Sequence, residues 1–183
     1  MNERATPIVR DRYITVVGSV GFAAALAAAS QIAVPIPGTS VPMTLQPLAV
    51  VLAGLWLGPV GGAASMILYL AAGAAGLPVF APVGPAGVMR LLGPTGGYLL
   101  AYPVAAFVAG MLTNRRSRVL RRMGAAALGI AVIHVGGVAQ LAVLTGSVSR
   151  AVVLGTLPFL GMDLVKAVIA GTLSPGGNDR AHL

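Results

Sequence analysis

The sequence predicts an all-α membrane protein with six transmembrane helices and both termini in the cytoplasm. Three observations predict this class: an apolar composition, apolar stretches of membrane-spanning length, and basic residues grouped in segments that six crossings place on one side. Of the 183 residues, 57% are hydrophobic and 9% are charged, and the mean hydropathy is +0.91. A soluble domain carries about 25% charged residues. This chain lacks that polar surface, so we predict a single integral membrane domain over residues 1–183.

The first predicted span covers residues 13–34, which are 22 residues without a charge, after a polar cytoplasmic segment, residues 1–12. At 1.5 Å per helical residue this stretch is long enough to cross a hydrocarbon core of about 30 Å. The apolar run is too long for the core of a signal peptide, so we expect it to be retained. The sequence PIPGTSVP, residues 35–42, predicts an ordered loop after it.

Residues 45–77 form an apolar run that is too long for one crossing. Gly58 and Pro59 divide it into two short predicted spans, because the residue before a proline is pushed away from helical geometry. Residues 78–93 are rich in proline and glycine and predict a second loop, folded back on the bundle. The remaining segments are three predicted spans and a cytoplasmic tail, over residues 94–113, 123–144, 151–173 and 174–183.

The basic residues are grouped in segments that six crossings place on one side of the membrane. They precede the first span, fill the connection between the fourth and fifth spans, and follow the sixth: Arg4, Arg10, Arg12, Arg115, Arg116, Arg118, Arg121, Arg122 and Arg180. The positive-inside rule makes that side the cytoplasm, with Arg90 and Arg150 outside. The excess of basic residues is therefore interpreted as a topology signal and not as a nucleic-acid site. We expect the inner (plasma) membrane of a bacterial cell.

Asp163 and Lys166 lie near the middle of the sixth predicted span. An ionisable side chain at that depth is costly unless it is paired or hydrated, so it indicates a functional site. The spacing of three residues places both side chains on one helix face, where they can contact each other and a common ligand. The alternative is a structural ion pair that holds two helices together.

Arg90 lies in the second predicted loop, just before the sequence GPTGGY, residues 93–98. Glycines allow a loop to approach a ligand closely, and an arginine binds a carboxylate with two parallel hydrogen bonds. The alternative is an arginine that contacts solvent or lipid headgroups. GPTGGY lacks the lysine and the spacing of a Walker motif, so no nucleotide site is predicted.

No residue pattern predicts catalysis, a metal or a cofactor, and the chain is not expected to be an enzyme. Cys is absent, which removes thiolate ligands and cysteine nucleophiles. His134 is a lone histidine in an apolar helix, without a metal-ligand partner at suitable spacing. The other polar positions at the spans are more typical of interhelical hydrogen bonds than of ligand contacts: Thr44, Gln46, Ser65, Tyr69, Tyr98 and Gln140.

The first predicted span contains the sequence FAAALAAAS, in which alanines recur at intervals of four residues. Small residues at this interval let helix backbones approach closely. One interpretation is tight packing inside the bundle, and the other is an outward surface for a second membrane protein. The alanines concerned are Ala23, Ala24, Ala25, Ala27, Ala28 and Ala29.

Three blocks, in this order, carry a resemblance to a known family: PIPGTSVPMTLQPLAVVLAGLWLGPVGG, YLAAGAAGLPVFAPVGPAGVMRLLGPTGGYLLAY and PFLGMDLVKAVIA. They resemble the BioY family, the biotin-specific S components of energy-coupling factor (ECF) transporters, and the motifs VPMTLQ, GLPVFA and GPTGGY match especially well. The resemblance implies an S-component bundle of six membrane helices. It also implies that biotin binds near the outer face, beneath the first and third loops.

The resemblance implies protein partners as well. These are a membrane coupling (T) protein in the same lipid bilayer and ATP-binding subunits that supply the energy, which agrees with the lack of an ATP site in this chain. The small residues of the first helix would then be the docking surface for the coupling protein. The sequence leaves open whether the chain works alone, as a homo-oligomer, or only with an energising module.

The resemblance places biotin against the charged residues. Asp163 would accept from a ureido N–H, Lys166 would donate to an oxygen and balance the aspartate, and Arg90 would bind the valerate carboxylate. The two cations can also be assigned to the two ends of biotin in the reverse order. Residues expected around the rest of the ligand are Val79, Phe80, Tyr98, Thr44 and Gln46.

Two other functions stay open from the sequence. An S component for a different small vitamin would keep the fold and the partners and change the groups that face the ligand. A structural or regulatory membrane subunit without transport would leave Asp163 and Lys166 unexplained.

Overall fold

A computed structural model describes residues 7–114 and 116–174, with side chains from residue 15 onward. Of the predicted cytoplasmic segment, residues 1–6 lie outside the described residues. The predicted cytoplasmic tail lies outside them as well, except for Ser174.

Seven helices and one pair of short strands make up the described chain. In chain order they are α1 (Pro7–Gln31), β1 (Ala33–Val34), β2 (Met43–Thr44), α2 (Gln46–Ala74), α3 (Met89–Leu92), α4 (Gly96–Met111), α5 (Val119–Thr145), α6 (Val148–Gly155) and α7 (Leu160–Leu173). Helix α2 packs against α1 and α4, and α5 packs against α4, α6 and α7. The bundle is therefore built around α2, α4 and α5.

The first helix ends at Gln31, three residues before the predicted end of the span at Val34. Strands β1 and β2 pair in antiparallel fashion with Ala33 opposite Thr44, so the chain has already left the helix. The predicted loop, residues 35–42, connects these two strands, and Gly38 turns there with a φ of 86°. An all-helical fold was predicted, and this strand pair is the exception within the described residues.

Helix α2 contains the predicted division at Gly58, which is confirmed. The Gly58 backbone has φ 76° and ψ −178°, outside the helical region. Residues 46 and 69 would lie about 35 Å apart in an uninterrupted helix, yet Gln46 Nε2 donates to Tyr69 Oη at 2.8 Å. The two arms, residues 46–57 and 59–74, therefore fold back on each other as a helical hairpin.

Glycines allow the hairpin and its neighbour α4 to approach at backbone distance. A Cβ added to Gly54 would lie 2.1 Å from the carbonyl oxygen of Ala106, and one added to Gly62 would lie 2.7 Å from the Cα of Gly54. A Cβ at Gly110 would lie 2.6 Å from the nitrogen of Pro59. Side chains do not fit at these positions, so close backbone packing fixes the hairpin against α4.

The second predicted loop, residues 78–93, is not wholly irregular. Its last part forms the short helix α3, which contains Arg90. Side chains of neighbouring helices fasten both ends of this segment: Ser30 Oγ donates to the Val79 carbonyl at 2.7 Å, and Gln140 Nε2 donates to the Gly93 carbonyl at 2.6 Å. The segment is therefore held on the bundle, as predicted.

The sixth predicted span, residues 151–173, is broken into two helices. Helices α6 and α7 are bent by 58° at a break of four residues that contains Pro158. A proline removes a backbone donor and clashes with the preceding turn, which accounts for a break here. The predicted segment is therefore helical on both sides of a break that contains Pro158.

By length and apolar composition, two of the described helices are able to cross a membrane: Gln46–Ala74 and Val119–Thr145. The bent pair Val148–Gly155 and Leu160–Leu173 makes a third if it forms one span, and Thr15–Gln31 and Gly96–Met111 are shorter apolar helices. The described fold is therefore largely helical and apolar.

Two consecutive arginines bind the ends of two other helices near the start of α5. Arg121 Nε donates to the carbonyl of Leu112, the C-cap residue of α4, at 2.7 Å. The guanidinium of Arg122 is buried and donates to the carbonyl of Ser174, the C-cap residue of α7. Cations are favourable at helix C-termini, so this pair ties α4 and α7 to α5.

We predict that Gly54→Ala destabilises the protein, because its Cβ meets a backbone oxygen that cannot move without shifting α4. Overpacking of this kind costs typically about 1–3 kcal/mol. The matched control is Gly124→Ala in α5, where a Cβ has no neighbour within 4 Å. Melting temperatures of the detergent-solubilised variants test this. Equal melting temperatures for the two variants would contradict the packing described above.

Candidate ligand-binding site

A cavity of about 630 Å³, including its open mouth, lies between the loop segments and helices α2, α4, α5 and α7. Apolar and aromatic side chains form most of the lining, and a few polar groups interrupt it. The lining residues are Val41, Pro42, Thr44, Gln46, Pro47, Phe80, Ala81, Arg90, Thr95, Tyr98, Leu99, Tyr102, Ile133, His134, Phe159, Asp163 and Lys166.

A cluster of three ionisable side chains, Asp163, Lys166 and His134, forms part of the cavity wall. Lys166 Nζ lies 2.7 Å from Asp163 Oδ1, and His134 Nε2 lies 2.8 Å from Asp163 Oδ2. The side chains of Asp163 and Lys166 are 7% and 4% exposed. The predicted contact between Asp163 and Lys166 is confirmed. We call these three residues the charge cluster.

The break between α6 and α7 places Asp163 at the start of a helix. Asp163 lies in the first turn of α7, and its backbone N–H donates to the Phe159 carbonyl at 2.9 Å. Helix N-termini carry a partial positive charge that stabilises a nearby carboxylate. In membrane transporters, broken helices of this type direct their ends at a binding site. The carboxylate is therefore stabilised by a helix end as well as by Lys166.

Arg90 lines the cavity from the loop side. Its side chain is buried, with 5% of the residue exposed, and it donates to the carbonyls of Ala81, at 2.5 Å, and of Val83. Burial lowers the pKa of the Arg90 guanidinium. Its Nε has no hydrogen-bond partner among the described residues. Arg90 therefore holds the loop segment together from within the cavity wall.

The polar residues predicted at the site line the cavity and are also bonded within the protein. Thr44 Oγ1 lies 3.2 Å from Gln46 Oε1, and Gln46 Nε2 donates to Tyr69. Tyr98 Oη donates to the Gly155 carbonyl at 2.6 Å. These side chains therefore form hydrogen bonds within the protein, as expected, and they also face the cavity.

The two apolar residues predicted at the site differ in position. Phe80 is buried, lines the cavity, and packs edge-on against Tyr69 with ring centroids 5.4 Å apart. Val79 lies outside the lining and packs against the hydrophobic core, with its carbonyl bound to Ser30. The side chains of the GLPVFA motif therefore point to different surroundings.

His134, Tyr102 and Phe159 line the cavity and were not predicted there. His134 looks isolated in the sequence because its partner Asp163 is 29 residues away, on another helix. The missing signal is the pairing of α5 with α7, which no local pattern contains. One cue was present: an ionisable residue in an apolar helix requires a polar partner.

The alanines of α1 lie away from the cavity, and their exposure differs. Ala24, Ala25 and Ala28 are exposed, Ala27 and Ala29 are half-buried, and Ala23 is buried in the core. Ala24 and Ala28 are one turn apart, so they form a small-residue stripe on the outer face of α1. The interpretation as packing inside the bundle therefore fits Ala23, and the interpretation as an outward surface fits the exposed alanines.

Residues 1–182 match the BioY family model. The chain belongs to the BioY family. Relatives of this BioY chain include a probable biotin transporter BioY of Pyrococcus horikoshii, 43% identical over 81% of this chain and 86% of the relative. The biotin transporters BioY of Thermotoga maritima and Rhodobacter capsulatus are 35% and 34% identical, over 77% and 90% of this chain and 83% and 92% of theirs. The family resemblance predicted from the three blocks is confirmed.

The fold of this BioY chain matches a solved structure, the S-component for biotin from an ECF-type ABC transporter. The TM-score is 0.81 with 23% sequence identity, and the match covers 96% of this chain and 93% of the other. At that identity the match establishes the fold. The predicted S-component bundle is therefore confirmed at the level of architecture.

We predict that Lys166→Met lowers the melting temperature of the ligand-free protein strongly. Removing one partner of a buried ion pair costs typically about 3–5 kcal/mol, since the remaining charge loses its counter-ion. Adding Asp163→Asn to Lys166→Met removes that charge and should recover part of the loss. The control is Arg150→Met, a basic residue that is exposed. If Lys166→Met melts at the same temperature as Arg150→Met, the cluster does not stabilise the bundle.

Proposed function

We propose that this chain is the biotin-binding S component of an ECF-type uptake transporter. One observation carries the proposal: a largely apolar cavity is lined both by the buried pair Asp163–Lys166 and, from another element, by Arg90. Biotin has the matching groups, since it combines a polar ureido ring and a carboxylate with an apolar ring and chain. The names of the BioY relatives support the same ligand.

The charge cluster is suited to the ureido ring. An ionised carboxylate has about four lone-pair sites, and Lys166 and His134 each use one on Asp163. The others can accept from the ureido N–H groups. Arg90, which lines the cavity from the loop side, is the proposed partner of the valerate carboxylate, and Phe80 and Tyr98 offer ring faces and edges to the apolar part.

We predict that the binding of biotin depends on the ion pair of Asp163 and Lys166 as well as on the shape of the cavity. Asp163→Asn should weaken biotin binding at least about tenfold, which is about 1.4 kcal/mol, because the amide keeps the shape and loses the charge. Isothermal titration calorimetry with the purified protein measures this, with riboflavin as an unrelated vitamin. Binding of riboflavin in place of biotin would favour an S component for another vitamin.

The double variant Asp163→Asn with Lys166→Met separates ligand contact from a purely structural pair. Both charges are removed together, so the bundle has no uncompensated charge. If the double variant is folded and has lost its affinity, the pair contacts biotin. Near-native affinity of the double variant would contradict this proposal.

In the membrane, we propose six crossings with both termini in the cytoplasm of the cell. The hairpin of α2 supplies two short arms, and the bent pair α6–α7 supplies one crossing, which together with α1, α4 and α5 makes six. The exposed arginines 116, 118 and 121 then lie on the cytoplasmic side, in agreement with the positive-inside rule. The plasma membrane is the corresponding location.

This topology predicts which cysteines an impermeant thiol reagent labels in intact cells. Ser40→Cys, in the exposed connection between β1 and β2, should be labelled, whereas Arg116→Cys should be labelled only after the cells are opened. Ser117 is buried and is a poorer probe. The chain has no natural Cys, so the background is low. Labelling of Arg116→Cys in intact cells would place this connection outside the cell and contradict the proposed topology.

As its partners, we propose a membrane coupling protein and ATP-binding subunits that energise transport. The small-residue stripe, which consists of Ala24 and Ala28, is the proposed docking surface, since it is exposed and lies away from the cavity. Small side chains allow another helix to approach closely. Biotin binding and docking therefore use separate parts of the molecule.

The docking surface predicts a separation of binding from transport. Ala24→Trp with Ala28→Trp should abolish biotin uptake by cells that also produce the coupling and ATP-binding subunits, while biotin affinity stays within about threefold. The bulk prevents close helix approach. Val135→Trp, at a site on α5 that is 71% exposed, is the control for bulk in the lipid. If affinity is lost along with uptake, the alanines serve internal packing.

A further inference from the structure

His134 reaches the charge cluster from a different helix. It lies on α5, and its Nε2 is 2.8 Å from Oδ2 of Asp163 on α7, while Lys166 lies 2.7 Å from Oδ1. Both carboxylate oxygens are therefore held, one from the same helix and one from across the helix pair. A carboxylate bound at both oxygens cannot rotate about its terminal bond.

The tautomer of His134 follows from this contact. An ionised carboxylate only accepts hydrogen bonds, so Nε2 carries the hydrogen that points to Asp163. Nδ1 has no hydrogen-bond partner among the described residues. The ring is also held by aromatic neighbours, Tyr98 at 6.2 Å and Phe159 at 6.4 Å between ring centroids. The donor of His134 is therefore fixed in direction.

His134 and Asp163 also separate the ligand cavity from a second, shallower groove between α5 and α7. They are the two residues that line both spaces, and the groove is otherwise lined by apolar side chains: Ala127, Ile130, Ala131, Leu160, Leu164 and Ala167. Without the imidazole, the Asp163 carboxylate is held by Lys166 alone, at one of its two oxygens. The hydrogen bond from His134 keeps it at the cavity wall.

We propose that His134 is a positioning residue of the ligand site, which fixes the Asp163 carboxylate in the orientation that accepts the N–H donors of the ligand. This inference rests on the proposed function. Its physical basis is preorganisation: a group that is already oriented loses less conformational freedom when the ligand binds. His134 acts through Asp163 and needs no ligand contact of its own.

Two variants separate the hydrogen bond from the volume of the ring. His134→Gln keeps an N–H donor at a reach similar to that of Nε2, and His134→Leu fills comparable space without a donor. By calorimetry with biotin, we expect His134→Leu to raise Kd about tenfold, the size of a lost hydrogen bond to a charged group. His134→Gln should stay within about threefold. Equal Kd values for wild type and His134→Leu, or for the Gln and Leu variants, would overturn the proposal.

A cycle with Asp163→Asn tests whether His134 acts through the carboxylate. In the Asp163→Asn background, His134→Leu should change Kd by less than about twofold, because coupled residues are not additive. A full tenfold effect in that background would overturn the positioning role. Where His134→Leu does not purify as a folded protein, His134→Asn replaces it, since its amide is too short to reach Asp163.

The same titrations distinguish a failure of the proposed function from a failure of the role proposed for His134. A wild-type protein that does not bind biotin overturns the proposed function and, with it, this inference. A wild-type protein that binds biotin, with an unchanged His134→Leu variant, overturns the role of His134 alone.

Discussion

A buried carboxylate has to be neutralised where it lies, and in this bundle that carboxylate belongs to Asp163. It is compensated by Lys166 one turn later, by His134 from α5, and by the N-terminal end of α7. An isolated ion in a medium of low dielectric costs several kcal/mol even after relaxation. The helix break at Pro158 and the pairing of α5 with α7 are both needed to bring these groups together. The charge cluster therefore links the local chain geometry to the ligand cavity.

Irregular backbone next to the cavity raises the same problem for uncharged groups, since unbonded carbonyls are costly inside a membrane protein. In this protein, side-chain donors bind these carbonyls. Arg90 binds two carbonyls of its own segment, Ser30 and Gln31 bind the carbonyls where that segment begins, and Gln140 binds those where it ends. The loop segment, residues 78–93, is thereby fixed although helix α3 is only a short part of it. Arg90 both holds this segment and lines the cavity.

Features carried by neighbouring residues could be predicted from the sequence. The dipeptide of Gly58 and Pro59 marks the hairpin of α2, and the spacing of Asp163 and Lys166 places them in contact, because both depend on local geometry. Features that depend on which helices pack together could not be predicted: His134 finds its partner 29 residues away. The strand pair that ends α1 early depends in the same way on residues on either side of a loop.

The position of bound biotin is the most direct test of the central claim, that the charge cluster forms the polar part of the ligand site. The measurement is an experimental structure of the purified protein in complex with biotin. A polar end of biotin within hydrogen-bond distance of Asp163 or Lys166, about 2.7–3.2 Å, with its other end towards Arg90, is the predicted result. The structure of the complex would also show which end of biotin Lys166 binds and which end Arg90 binds. Biotin bound elsewhere, with the cluster intact and untouched, would contradict the account.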